Sequence, residues 1–180
     1  ALLYGAGVQG GVQVAGSPGN TIGDNLIADA PGYGVRLGPG TSGNVVAGNV
    51  LASNNGALVQ ASDDGSGNSW DTASSGNYWS DHLAPDDALP GGIVDSPYDV
   101  DGAAGARDDH PLCPAILGPA NRTAVEDISY NESFRLINGV EPDPWTITTN
   151  ASWLAVHDNG TITGVPDNED VGASRVNASV

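Results

Sequence analysis

The sequence has no lysine, no methionine and only one cysteine, and aromatic residues make up only 6% of it. Five arginines face 22 acidic residues, which leaves a formal net charge of −17. Nucleic-acid binding requires basic patches, so this composition excludes nucleic acid as a partner.

The single cysteine, Cys113, excludes a disulfide within the chain. We expect it to be a small buried apolar residue, the alternative being an intermolecular bridge.

The sequence also lacks a run of about 18 apolar residues, so it contains no predicted membrane span. No basic segment followed by an apolar one marks a signal peptide. The first residues look like the middle of a repeated pattern, so we expect a piece of a longer protein. With 26 glycines and 12 prolines, the composition disfavours long helices and favours strands and turns.

The negative charge repels itself unless salt screens it or divalent cations neutralise it. The absence of lysine fits a surface adapted to high salt. A bias in genome composition explains it equally well, and the sequence leaves both explanations open.

Residues 1–80 contain an internal repeat. A Gly-Asn pair recurs every 24 residues, at 19–20, 43–44 and 67–68. Apolar residues alternate around it, and a second short apolar motif recurs between these pairs. A left-handed hexapeptide β-helix would show a six-residue repeat, which the sequence lacks, and leucine is too scarce for a leucine-rich repeat. A right-handed parallel β-helix remains, in which asparagines stack at the corners and alternate apolar residues face inward.

This pattern resembles the right-handed β-helix repeats of archaeal and bacterial surface proteins, of NosD-type periplasmic proteins and of many polysaccharide-processing enzymes. The resemblance implies a fold and says little about function.

A solenoid exposes an apolar end and unpaired strand edges, which a cap must cover. The repeat decays after residue 80, and we predict that Trp70, Tyr78 and Trp79 form a structural cap over the core. Residues 81–112 are predicted to be an acidic capping segment. Three motifs resemble the sequence that follows such repeats in archaeal surface proteins and NosD-like proteins. They lie at residues 76–81, where the segment begins, and at 95–99 and 109–112 within it.

Calcium is the one cofactor that the sequence suggests, and no organic cofactor is expected. Calcium binds six to eight oxygen ligands, and carboxylates are dense in the capping segment. The alternative is a solvated acidic loop whose aspartates form local turns. The candidate calcium ligands are Asp86, Asp87, Asp95, Asp99, Asp101, Asp108 and Asp109.

A proline-rich linker is predicted at residues 113–119 and a β-sandwich at 120–180. Residues 153–172 resemble the immunoglobulin-like, cadherin-like domains of the dystroglycan and putative-Ig families. The resemblance places Trp153 and Leu154 in the sandwich core. The fold class is therefore all-β: a parallel β-helix with a C-terminal cap, followed by an immunoglobulin-like sandwich.

The sandwich segment also carries five Asn-X-Ser/Thr sequons, whereas residues 1–120 carry none. This clustering suggests a glycosylated extracellular surface. The predicted glycosylation sites are Asn121, Asn131, Asn150, Asn159 and Asn177.

We expect no enzyme activity. Polysaccharide cleavage needs converging carboxylates, and the repeat region offers only scattered ones such as Asp24, Asp29 and Asp63. Copper binding would need soft or imidazole ligands, of which the chain has few.

The sequence predicts an extracellular or cell-surface protein that acts as a rigid structural spacer and an adhesive interaction module in a surface layer, sheath or filament. The expected partners are other copies or neighbouring surface-protein domains. The alternative is a β-helix protein that binds or cleaves polysaccharide.

Overall fold

The computed structural model describes residues 2–4, 10–87, 92–139 and 144–179. These residues are all-β, and their only helical segment is a single 3-10 turn at Asn54–Ala57. In the described ranges, no helix has the length and apolar character needed to cross a membrane. The chain divides into two compact units, Ala1–Pro114 (unit 1) and Ala115–Val180 (unit 2).

Unit 1 is built from short strands separated by turns. In chain order they are β1 (Leu2–Tyr4), β2 (Gly10–Val14), β3 (Thr21–Gly23), β4 (Leu26–Ala28), β5 (Tyr33–Leu37), β6 (Val45–Ala47), β7 (Val50–Ala52), β8 (Ala61–Asp63), β9 (Tyr78–Trp79), β10 (Tyr98–Asp99) and β11 (Arg107–Asp108).

Three parallel sheets form the walls of unit 1, in the orders β1-β4-β7-β9, β2-β5-β8 and β3-β6. Neighbouring strands of a sheet come from successive coils, so Ile22 pairs with Val46 and Ile27 pairs with Leu51. Such stacking of coils makes unit 1 a parallel β-helix and confirms the predicted repeat. The hand of the coil stays a prediction.

Inward-facing aliphatic side chains fill the space between the three sheets. Each contributes about 1.5–3 kcal/mol when fully buried. The buried core contains Ile22, Ile27, Val35, Leu37, Val46, Leu51, Ala61, Trp70, Trp79, Tyr98 and Val100.

The capping segment continues the stack as an irregular coil. Asp101 forms a parallel bridge with Ser62, and Asp63 donates its backbone N–H to the Asp101 carbonyl at 2.7 Å. Further along, Leu112 donates its backbone N–H to the Asn77 carbonyl at 2.8 Å. Unit 1 therefore extends beyond the predicted boundary at residue 80.

Unit 2 contains only antiparallel pairs in its described residues. Its strands are β12 (Ala115–Leu117), β13 (Tyr130–Ser133), β14 (Arg135–Ile137), β15 (Thr146–Thr149), β16 (Leu154–Val156), β17 (Thr161–Gly164) and β18 (Val176–Ser179). They form three small sheets, ordered β12-β14, β13-β17-β16 and β15-β18.

The predicted linker at 113–119 differs from the structure, because its residues 115–117 form β12. This strand pairs with β14 and belongs to unit 2. Two prolines flank the strand without interrupting it, at positions 114 and 119. Proline at the ends of an edge strand costs no ladder hydrogen bond, which is why a proline-rich segment can contain a strand.

Phe134, Trp145 and Leu154 form most of the unit 2 core together with Ile162. Leu154 is buried as predicted, whereas Trp153 is only partly buried and packs against the cluster from one side. Whether these sheets adopt the immunoglobulin topology stays a prediction.

Replacing Gly164 by alanine tests the packing of unit 2. An added Cβ would meet the Trp153 carbonyl and lie 2.8 Å from its ring, so we expect Gly164→Ala to lower the free energy of unfolding of unit 2 by about 1–3 kcal/mol. Urea unfolding followed by tryptophan fluorescence measures this loss. Gly118→Ala is the control, because its Cβ would meet only the Arg122 guanidinium at 3.7 Å. Equal losses in both variants would contradict the packing.

Candidate functional site

Buried side-chain amides connect successive coils of unit 1. In the first ladder, Asn20 donates its backbone N–H and its Nδ2 to Oδ1 of Asn44, each at 2.8 Å. Asn44 binds Oδ1 of Asn68 in the same way, at 3.0 and 2.9 Å. Asn68 then donates to the Asp63 carboxylate at 3.0 Å. The predicted stacking of asparagines is confirmed, and it ends on a carboxylate.

The second ladder runs parallel to the first. Asn25 binds Oδ1 of Asn49, and Asn49 binds Oδ1 of Asn77 at 3.1 Å through its backbone N–H and at 2.9 Å through Nδ2. The backbone N–H of Asn77 donates to Oδ2 of Asp108 at 2.7 Å. Asp108 thus occupies the position that an asparagine holds in each earlier coil, and this ladder also ends on a carboxylate.

The third ladder is shorter and ends in the same kind of group. The backbone N–H of Ala30 donates to Oδ1 of Asn54, and Asn54 donates to Oε1 of Gln60 at 2.9 Å. The backbone N–H of Gln60 donates to the Tyr98 hydroxyl, which donates to the Asp81 carboxylate at 2.8 Å. Each ladder donates toward the C-terminal end of the coil and finishes on an aspartate.

Two indole N–H groups donate to the carboxylates that end the first and second ladders. Trp70 Nε1 donates to Asp63 at 2.9 Å, and Trp79 Nε1 donates to Asp108 at 2.8 Å. The two tryptophan rings lie 5.9 Å apart, and Trp79 stacks on Tyr98 at 4.0 Å with an interplanar angle of 11°. The predicted aromatic cap therefore exists, and its polar edges are attached to the ladder ends.

The cap differs from the prediction in one member. Tyr78 pairs with Val50 on the outer side of the sheet, whereas Trp79 pairs with Leu51 on the inner side. Successive strand residues point to opposite faces, so Tyr78 cannot cover the core and its predicted role is wrong. Tyr98, from the capping segment, takes that place in the core.

Burial has a clear electrostatic effect at the cap. It raises the pKa of Asp108 more than hydrogen bonds from Asn77, Trp79 and His110 lower it. Burial also raises the pKa of Tyr98, and the neighbouring Asp81 carboxylate raises it further, so the hydroxyl stays a donor. The cap is a desolvated acidic cluster held in place by directed donors.

The seven candidate calcium ligands do not converge. No group of three metal-binding side chains forms in the part of the chain that the structure describes. Asp108 is buried in the second ladder. Asp101 accepts a hydrogen bond from the Tyr33 hydroxyl at 2.6 Å, and Asp109 pairs with Arg107 at 3.2 Å.

The remaining candidate ligands are used locally as well. Asp99 lies 3.7 Å from the same Arg107 guanidinium. Asp86 accepts from Gly92 N–H, and Asp95 accepts from the backbone N–H of Asp87. The Asp87 carboxylate is exposed, and the described residues do not bring the candidate carboxylates together into one site.

The other predicted site residues occupy separate positions. All five sequon asparagines are exposed, and their glycosylation stays a prediction. Asp24 and Asp29 lie at corners with φ of 55°. Asp63, one of the scattered carboxylates of the repeat region, is buried at the end of the first ladder. The burial of Asp63 could have been predicted from its position at the end of β8.

Replacing Asn49 tests the ladders. Asn49→Ala removes the acceptor that Asn25 uses and the donor to the Ile22 carbonyl, so we expect a loss of about 2–4 kcal/mol in the free energy of unfolding. Equilibrium urea unfolding measures it. Gln13→Ala removes an exposed amide from the same unit and should change stability by less than about 0.5 kcal/mol. A loss below about 1 kcal/mol in Asn49→Ala would show that the ladder contributes little.

The raised pKa of Asp108 predicts a pH dependence. Folding raises this pKa, so the carboxyl's stabilising contribution is present at low pH and is lost as the pH rises through its folded pKa. From about pH 4 to about pH 7, the free energy of unfolding should therefore fall more steeply in the wild type than in Asp108→Asn. Urea titrations in about 1 M sodium chloride, which screens surface repulsion, give both slopes.

Asp87→Asn removes an exposed charge and serves as the control for this pH experiment. Its slope shows how much of the pH dependence comes from the loss of one negative charge rather than from Asp108. If Asp108→Asn and the wild type have the same slope, Asp108 does not titrate differently on folding.

Comparison with known proteins gives one family. Residues 6–84 match the family described as periplasmic copper-binding protein (NosD), which covers less than half of the 180 residues. No match was found among the curated proteins or among the solved structures. The resemblance of unit 2 to cadherin-like domains stays a prediction.

The described residues do not fit a copper site. The chain has no methionine and one cysteine, and its three histidines, His82, His110 and His157, are far apart in the sequence. The histidines also do not gather with other metal-binding side chains in the described ranges. The similarity to the NosD family is confined to residues 6–84, which belong to the parallel β-helix of unit 1.

Proposed function

We propose that this chain is a structural, non-enzymatic module of the cell envelope or of the extracellular surface. Unit 1 acts as a rigid spacer and unit 2 as an interaction module in a surface layer, sheath or filament. The periplasmic description of the matching family supports an envelope location. The strongly negative charge supports solubility in such a compartment.

The observation that carries this proposal is the set of three amide ladders that end on aspartates, two of which, Asp63 and Asp108, are buried. Each coil is joined to the next by backbone strands and by buried side-chain hydrogen bonds. An interior held by both kinds of bond resists bending and local opening, because a coil that separates leaves buried amides without partners. Rigidity of this kind suits a spacer.

Two finer features belong to the same proposal. We take the coil to be right-handed, because connections between parallel strands are right-handed in nearly all known cases. We also take unit 2 to be an immunoglobulin-like sandwich of the cadherin-like type, with glycans on its exposed sequons. Its outward strand positions are polar, since Asn131 and Asn177 both lie on exposed faces.

Cell fractionation and a turnover assay test the proposal together. We expect an antibody against unit 1 to detect the protein in the envelope or extracellular fraction of the source cell, and not in the cytoplasm. We expect the purified chain to release no products from neutral or acidic polysaccharides above the buffer rate. Turnover that disappears in an Asp24→Asn/Asp29→Asn double variant would instead support the alternative, a polysaccharide-cleaving enzyme.

A further inference from the structure

Unit 2 contains an open cleft of about 840 Å³. Its walls include three side chains of the unit's own core, Phe134, Leu154 and Ile162. The cleft therefore leads directly to the hydrophobic interior of unit 2, and an apolar group that enters it would extend that core.

Exposed aliphatic side chains surround this cleft. Val171 lines it and is 86% exposed, and Val125 and Val165 are each adjacent to lining residues and more than half exposed. The backbone N–H of Asp127 donates to the Pro166 carbonyl at 2.9 Å and holds the two loops together. A concentration of exposed aliphatic groups next to a core opening is typical of an interaction site.

Two arginines line the same cleft. In the described residues, Arg122 and Arg175 have no carboxylate within ion-pair distance, although the chain has 22 acidic residues. Three acidic side chains also line the cleft, Glu126, Asp167 and Asp170, and the two aspartates each accept a backbone N–H within their own turn. The free guanidinium groups suit a partner that carries carboxylates.

The aromatic residues of the cleft argue against a sugar as its occupant. Trp153 packs against Gly164, and the edge of its partner ring Tyr130 meets it at 84° and 5.9 Å. Both rings line the cleft but are packed edge to face on each other, and the strongly exposed apolar group that lines it is Val171. A protein segment with an aliphatic side chain beside carboxylates is the better match.

Unit 1 displays a segment of this chemistry. Leu83 is 92% exposed, the highest value among the large hydrophobic residues described, and Asp87 lies four residues later with an exposed carboxylate. Contacts on both sides fix the segment: His82 bonds to the Ser96 carbonyl at 2.8 Å, and the backbone N–H of Asp95 donates to the Pro85 carbonyl at 3.0 Å. We name residues 82–87 the Leu83 ridge.

We propose that the cleft of unit 2 in one copy binds the Leu83 ridge of unit 1 in a second copy. Leu83 enters the apolar cleft, and Asp87 meets the free guanidinium groups at its edge. Different surfaces of the two copies take part, so the contact is heterologous and can propagate into an open chain of copies. This inference rests on the proposed structural role and specifies its partner.

Sedimentation velocity over a range of concentrations tests the contact in the full chain. We use about 0.15 M sodium chloride, where the Debye length of about 8 Å limits repulsion between the acidic copies. The wild type should form species that grow with concentration. Leu83→Asp and Val171→Asp should each weaken assembly at least about tenfold, because each replaces an apolar group of the contact with a charge. Leu58→Asp, at an exposed leucine elsewhere in unit 1, is the control and should assemble like the wild type.

Mixing the two defective variants gives the sharpest result. Leu83→Asp keeps an intact cleft and Val171→Asp keeps an intact ridge, so an equimolar mixture should form closed 1:1 dimers that neither variant forms alone. A wild type that stays monomeric overturns the inference, and so does a mixture without dimers. Neither result contradicts the proposed spacer role, which depends on envelope location and the absence of turnover.

Discussion

A buried side-chain amide must find a hydrogen-bond partner in the next coil, and unit 1 is organised around this requirement. Each ladder asparagine accepts from the coil before it and donates to the coil after it. The last donor of a ladder needs a group that only accepts. An ionised carboxylate meets that need without adding another donor, which explains why all three ladders end on aspartates.

Burying Asp63 and Asp108 is costly unless several donors surround their carboxylates. The cap supplies such donors from its aromatic residues as well as from the ladders. Trp79 fills the end of the core and at the same time donates its indole N–H to Asp108. Hydrophobic closure and charge compensation therefore depend on the same side chains. Replacing Trp79 would remove both the ring that closes the core and the indole donor to Asp108.

The sequence predicted the coil because its regular part repeats every 24 residues. It could not predict the irregular part. The second ladder steps 28 residues from Asn49 to Asn77 and 31 more to Asp108, so no fixed period reveals the final partner. Asp108 looked like a surface ligand because its neighbours are acidic. Because successive strand residues face opposite sides, the sequence of β9 could have predicted that only one of Tyr78 and Trp79 faces the core. Nothing in the local sequence places Tyr98 against the core.

Closure of the coil also decides where unit 1 can make contacts. An open solenoid end offers unpaired strands and an apolar surface to any other chain. Here the irregular coil pairs with those strands, and Trp79 and Tyr98 cover the apolar surface. Association through this end would require the ladders to give up their carboxylates. The loop that follows Trp79 leads outward instead and leaves Leu83 in solvent, so the residues that close the core also direct an apolar side chain to the side of the coil.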